Sequence, residues 1–441
     1  MLVKASVAAR KWGINERRVR FLARNGRIKG AVQVNKRWYI SDKAEKPDLK
    51  SYRESLENQK YPTPSFSDGN YGVYGGAYIP HAFESFFAPV LDIFKSMIST
   101  STFESKVKSY TKDTPLYIPE KFNKTLGNVK VIIKREDLNT AGSLYINQAY
   151  PLALLLKRLK KEKIMVAAGN ANYAIAFAKA CFDTNTHCKI FIPYREYKKQ
   201  KAAFDLIHEY NPEYLYICEE DGSLYNAVNY AFREFLYKDG KSLYWLNDGV
   251  GPHPIPTIVE FCQSCIGKAA QMQLKRMGIE RISAIIAPAN VPSNALGIFA
   301  CASSRSKLVV VESSDTNSII RDGRYGLIDG FKTLTLTTKG FCEYKCQSPC
   351  GTVSYPGISP KIAEEIEKGR YQVGRVTDIE AMKACKEFYE LEGIFPALED
   401  GYTLAYIKKR AKRMKSGNIL MCFTGKGDKD KDFVISSLRN L

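Results

Sequence analysis

Several groups of residues in this 441-residue chain are of types and spacings that could do chemistry. Arg17, Arg18, Arg20 and Arg24 recur within "INERRVRFLARNG". On a helix they would fan along an exposed face, where guanidiniums pair with phosphates or with guanine edges. Ser293 and Asn294 stand where "APANVP" runs into the helical pattern "SNALGIFA", so their donors would meet an anion at the helix's positive end. Tyr145, inside "KREDLNTAGSLYINQ", reads as a packed or hydrogen-bonded pocket plug rather than a catalyst. His253 in "GPHP" has no partner acid in view and reads as a hydrogen-bonded residue of a rigid turn. Cys342, Cys346 and Cys350 fall at four-residue intervals in "CEYKCQSPC", on one side of a strand or helix. No fourth Cys or His stands near them, so they read as free buried thiols, and no metal is expected.

The elements that must hold these residues fall into two parts. In the first, "SVAARKWG" reads as a short helix with Ser6 as N-cap and Gly13 as its stop. Asn15 can cap a second helix in which Val19 and Leu22 share a face with Ile14 behind them. Asn25-Gly26 ends that helix at a left-handed position. "AVQVNKRWYI" alternates around "NK" as a small hairpin or wing. Arg27, Lys36 and Arg37 would then hold the flanking nucleic-acid backbone. Residues 1–53 carry 15 Lys or Arg against four acids, so +11 of the formal net charge of +20 belongs to this segment. Helix, turn, helix and basic wing is the layout of a DNA reader. The segment resembles the winged helix-turn-helix modules of the MerR and excisionase kind. The expected organisation is a helix-turn-helix domain over 1–46, a polar, proline-containing linker over 47–70, and a large domain over 71–441.

In the large part, short apolar runs alternate with amphipathic segments. "VKVII", "KIMVAAG", "HCKIFIP", "YLYIC", "SAIIAP", "KLVVVES" and "NILMCF" read as buried strands; "AIAFAKACFDT" and "KKQKAAFDLIHEY" read as helices. The pattern predicts an α/β fold with mostly parallel sheets. Ligands of such sheets sit beyond the carboxyl ends of the strands.

The loops at those places occur in a telling order: "YGGAYIP", "KREDLNTAGSLYINQA", "AAGNANYAIA", "GVGPHPIPT", "APANVPSNALGIFA", "LEGIFPALE" and "TGKGDKD". Together they resemble the β chain of tryptophan synthase, a fold-type-II pyridoxal phosphate enzyme that joins serine and indole. The resemblance runs from Tyr74 to Asp430. It implies two three-layer αβα subdomains, and it exposes departures. Tyr145 stands where the family has the lysine that forms the Schiff base. Ala167 stands where it has the acid that works on indole. Asn290, Val291 and Pro292 replace glycines whose N–H groups cradle the cofactor phosphate, and Pro292 has no N–H to offer. Ser354 replaces an aspartate near the substrate. Other positions keep the family's character: Gly169 and the amide of Asn172 where an amino-acid carboxylate is gripped, Ser293 and Asn294 at the helix start, Glu392 and Thr424 along the cofactor ring. Asn139 and Asn147, from the motif around Tyr145, complete the candidate pocket set.

Lysine, acid and phosphate cup are altered together, and a basic module precedes them. The expectation is a DNA-binding pseudoenzyme, a transcriptional regulator whose disabled domain senses a small ligand, amino-acid or indole-like, or mediates oligomerisation. A homodimer would suit duplex DNA. No catalytic residue and no cofactor are expected, although pyridoxal phosphate held without a covalent bond stays open. The alternatives are a pyridoxal-phosphate-dependent lyase with altered chemistry and a non-catalytic interaction subunit. Eleven cysteines without a framework, no signal-peptide pattern and no apolar run of membrane-spanning length point to a reduced, cytoplasmic protein without a membrane partner.

Overall fold

The computed structural model describes residues 2–24, 28, 31–34, 37–46, 69–79, 81–218, 222–237, 241–245, 248–315, 318–336 and 348–439. Asn25-Gly26, Arg27, Lys36, most of the expected linker, Cys342 and Cys346 lie outside these residues. Contacts divide the chain into two units, Met1–Pro62 and Thr63–Leu441.

In the first unit, the strand Leu2–Lys4 runs straight into the helix Ala5–Trp12, so Lys4 rather than Ser6 holds the N-cap position, and no side chain caps the helix. Gly13 ends it at φ 63°, the left-handed conformation that glycine adopts without steric cost. The helix Glu16–Arg24 follows, then the antiparallel strands Val32–Val34 and Arg37–Ser41, in register Val34 opposite Arg37. Leu2–Lys4 pairs with the other edge of Arg37–Ser41, giving a three-stranded sheet where the sequence suggested two strands. Ala5, Ala8, Ala9, Trp12, Val19, Ala23, Ile28 and Ile40 close a small core under the helices. Arg17, Arg20 and Arg37 are exposed, and Arg20 is tied to Glu16 one turn earlier at 2.5 Å.

The second unit is built on two mostly parallel sheets. One has four parallel strands in the order Glu213–Ile217, His187–Pro193, Lys163–Ala167, Ser242–Trp245. The other has six, in the order Tyr371–Val376, Lys307–Ser313, Ala284–Pro288, Gly417–Cys422, Val129–Lys134, Leu116–Tyr117, with only the last antiparallel to its neighbour. Strands covered on both faces read as continuous β-branched runs, which is why Val131, Ile132 and Ile133 are all fully buried. A small antiparallel sheet of Asn70–Tyr71, Tyr74–Gly75, Arg324–Ile328 and Phe331–Thr335 stands apart from both.

The helices that follow the strands start next to the strands' carboxyl ends. Lys163–Ala167 leads through Ala168 and Gly169 into Ala171–Asp183, whose N-cap Asn170 accepts the Tyr173 N–H at 2.9 Å. Seven of the thirteen residues of that helix are small or β-branched and buried, so it lies close against its neighbours. Ala284–Pro288 leads through Ala289, Asn290 and Val291 into Pro292–Ile298, with Pro292 at its first turn. Ser242–Trp245 leads towards Asp248, and Lys307–Ser313 ends in Glu312 and Ser313. Ends from both sheets therefore converge, and a cavity lies between them.

Candidate functional site

The cavity encloses about 690 Å³ of non-atom space, part of it open to solvent. Its wall is mixed. Tyr145, Tyr173 and Tyr355 bring rings, Leu224, Val250 and Ile358 bring aliphatic groups, and Asp248, Glu312, Asn170 and Asn290 bring polar ones.

Tyr145 sits at the N-terminal end of the helix Ile146–Arg158 and is 2 % exposed. Its ring meets Tyr173 edge to face at 5.1 Å, and its hydroxyl accepts a hydrogen bond from Asn170 Nδ2 at 3.2 Å. Burial, with Asp248 and Glu399 nearby, pushes the phenol well above its usual pKa, so it stays neutral and is no base near neutral pH. The same Asn170 amide donates to Glu399 Oε1 at 3.1 Å. Glu399 in turn takes Lys429 Nζ at 3.0 Å, and Lys429 also reaches Asp430 at 2.5 Å. A buried lysine between two buried carboxylates thus anchors Asn170 from behind.

At the start of Pro292–Ile298 the Ser293 donors are already occupied. The Ser293 N–H and Oγ–H both point to Asp248 Oδ2, at 3.3 and 2.7 Å, and Gln148 Nε2 donates to Asp248 Oδ1 at 2.8 Å. Burial raises the Asp248 carboxyl to about 6, against the opposing pull of these hydrogen bonds. At the start of Ala171–Asp183 the situation is similar: the Ala171 N–H donates to Gln200 Oε1 at 2.9 Å, and the Tyr173 N–H to Asn170 Oδ1. Gln200 can do this because the expected single helix breaks there, into Tyr194–Lys199 and Lys201–Asp205.

The residues picked out from the sequence do not all meet at this cavity. Tyr145, Gly169, Asn290 and Pro292 line it. Ser293 is behind the wall on Asp248, and Asn294 ties its helix to the Gly417–Cys422 strand through Cys422 O at 2.8 Å. Ala167 is a fully buried strand end. Asn139 and Asn147 bond each other at 3.0 Å and share the Glu136 carboxylate, a cluster beneath the loop. Asn172 fastens Lys426 O at 2.9 Å. Ser354 accepts the Leu224 N–H at 2.9 Å and donates to Gly351 O, so it serves the Leu224–Tyr237 helix start. Thr424 points its N–H and hydroxyl at buried Asp400. Glu392 is placed elsewhere: at the end of Asp378–Glu392 it accepts Tyr117 Oη at 2.6 Å and the Phe122 N–H at 2.7 Å. Sequence reasoning passed over Asp248, Asn170, Tyr173, Glu312 and Glu399. Asp248 directly precedes the quoted "GVGPHPIPT", and Glu399 ends the quoted "LEGIFPALE", so both lay within reach. Among the described residues no group of three His, Cys, Asp or Glu side chains could hold a metal ion, and no helix is long and apolar enough to cross a membrane.

Pyridoxal phosphate makes two demands that this geometry can be tested against. Covalent attachment needs a lysine amine, and none of the described lining residues is a lysine. A phosphate needs unengaged N–H donors at a helix start, and here an Asp248 carboxylate holds those of Ser293.

Comparison with known proteins gives the ancestry of this scaffold. The model of the family "Pyridoxal-phosphate dependent enzyme" matches residues 107–425. The tryptophan synthase beta chain of Clostridium botulinum (strain Alaska E43 / Type E3) is 29% identical over 392 residues, which cover 86% of this chain and 96% of the relative. The tryptophan synthase beta chain of Clostridium botulinum (strain Eklund 17B / Type B) matches to the same extent. With the family model spanning well over half of the chain, and both sheets and the cavity at their strand ends in place, the chain belongs to the pyridoxal-phosphate dependent enzyme family.

Proposed function

We propose that this member of the family is a DNA-binding regulator whose large unit recognises a small molecule instead of carrying out lysine-based cofactor chemistry. One observation carries the reading of the large unit: Tyr145 lines the cavity, and Asp248 fills the Ser293 donors a phosphate would need. The residues present do not fit a covalently held pyridoxal phosphate, because a phenol forms no Schiff base and a carboxylate repels a phosphate. Support for the DNA-binding part is the +11 of the first 53 residues, together with exposed Arg17, Arg20 and Arg37 on a two-helix, three-strand unit. Two such units in a homodimer would match a two-fold site on duplex DNA.

The test is a mobility-shift titration of the full chain on mixed-sequence duplex DNA at rising salt, paired with absorbance after pyridoxal phosphate is added. The expected result is salt-sensitive DNA binding, weaker by about a factor of ten for each doubling or tripling of salt, and no new visible band. Absence of DNA binding at low salt sinks the regulator reading. A stable visible band favours the second reading, a lyase with altered chemistry, which family membership and the surviving cavity support.

A further inference from the structure

The cavity carries an uncompensated charge. Two carboxylates face it, Asp248 and Glu312. Glu312 is matched: Arg375 Nε lies 2.7 Å away and the Ile320 N–H donates at 3.0 Å. Asp248 is not matched. Its hydrogen bonds come from the Gln148 amide and from Ser293, all neutral donors. Among the described residues no Lys, Arg or His lines the cavity. A buried carboxylate in that position is unfavourable when ionised unless something brings it a positive charge.

A second observation points to the same place independently. Tyr173 lines the cavity and is 1 % exposed, yet its hydroxyl has no hydrogen-bond partner. A buried polar atom without a partner marks a group that something else should satisfy. Its lone pairs can accept from an ammonium, as can the one acceptor site left on Asp248 Oδ1. The neighbouring wall of Tyr145, Leu224, Val250 and Ile358 suits an apolar body.

The same geometry disfavours ligands with an acid group. The Ala171 and Tyr173 N–H groups, which could have held a carboxylate, are engaged by Gln200 and Asn170.

We propose that the cavity binds a protonated organic amine with an aromatic or aliphatic body and no acid group, with Asp248 as counter-ion and the Tyr173 hydroxyl as a further acceptor. This rests on the reading that the cavity no longer serves pyridoxal phosphate, and it narrows the ligand from an amino acid to an amine. Asp248 selects for charge, the tyrosines and aliphatic groups select for shape, and the engaged Ser293, Ala171 and Tyr173 N–H groups offer an anion nothing.

The test is calorimetric titration of the full chain near pH 8 with three probes that share one ring: 2-phenylethylamine, phenylalanine and phenylacetate. The amine is expected to bind at least about tenfold more tightly than either acid-bearing probe. Asp248→Asn is expected to remove that preference, and Tyr173→Phe to weaken the amine about threefold with an unchanged circular dichroism spectrum. Equal or tighter binding of phenylacetate overturns the proposal, and so does an amine preference that survives Asp248→Asn. Failure of 2-phenylethylamine to bind at all does the same. If Asp248→Asn does not fold, the order of the three probes on the unmodified chain decides alone. A DNA shift measured on the same preparation separates the two readings. DNA binding without amine binding removes only the ligand assignment, and amine binding without DNA binding removes only the regulator.

Discussion

Asp248→Asn offers a direct measurement of the charge that the cavity buries. The carboxyl is raised from 3.8 to about 6, with burial as the leading cause and Ser293 and Gln148 opposing it. A carboxyl whose folded pKa exceeds its unfolded value contributes most below the unfolded value. That contribution is lost as pH rises through the folded one. About two units at about 1.4 kcal/mol each give a loss of ~3 kcal/mol between about pH 4 and pH 7. Asparagine does not ionise, so the variant should lack this loss. It can keep the local bonds: its Oδ1 can accept from Ser293, and a turned Gln148 amide, whose Oε1 has no partner, can accept from its Nδ2. The assay is urea unfolding of chain and variant at matched pH values, using the difference between them so that other raised carboxyls such as Asp400 cancel. With an m-value of ~3 kcal/mol/M or more, the midpoint of the variant should gain up to ~1 M on the unmodified chain as pH rises from 4 to 7. A difference independent of pH, or one that grows in the opposite direction, refutes the placement of a lone buried carboxylate.

Three further outcomes follow from the site. Tyr145→Lys should stay colourless when pyridoxal phosphate is added, because Asp248 still holds the Ser293 donors and Pro292 still lacks an N–H; a visible band lost on borohydride reduction contradicts this. Lys429→Met should destabilise the large unit by about 3–5 kcal/mol in urea unfolding, since it strands Glu399 and Asp430 without a cation; a change under ~1 kcal/mol contradicts it. Gly351→Ala should cost about 2–3 kcal/mol and weaken any cavity ligand, because its Cβ would lie 2.2 Å from Gly169 O and 2.6 Å from Glu196 Oε2; melting temperature and ligand titration together check this.

The sheet strands were legible because fully covered strands leave unbroken apolar runs, as in "VKVII" and "KLVVVES". Tyr371–Val376 escaped because Gln372, Gly374 and Arg375 interrupt its run, and Ser242–Trp245 because four residues are too few for a pattern. Loop order disclosed the family, since loops at strand ends carry the site. Which side chain of a loop reaches the cavity was not legible. Glu392 and Glu399 belong to one motif, yet one holds Tyr117 and the other Asn170. Only the packing of the helices on either side separates them. The break at Gln200 was hidden for the same reason: its amide leaves helical geometry to serve a helix start distant in sequence. In the first unit, the third strand comes from residues 2–4, too short and too near a helix to show a period of two.

Asp248 on Ser293 also bears on what the cavity meets in a mixture of metabolites. A tethered carboxylate competes with dissolved anions at an effective concentration of millimolar or above, and its position is fixed before any encounter. Nucleotides, sugar phosphates and free phosphate would each have to evict it before using the same donors. The scaffold thereby carries its own competitor for the Ser293 donors, one that is never diluted.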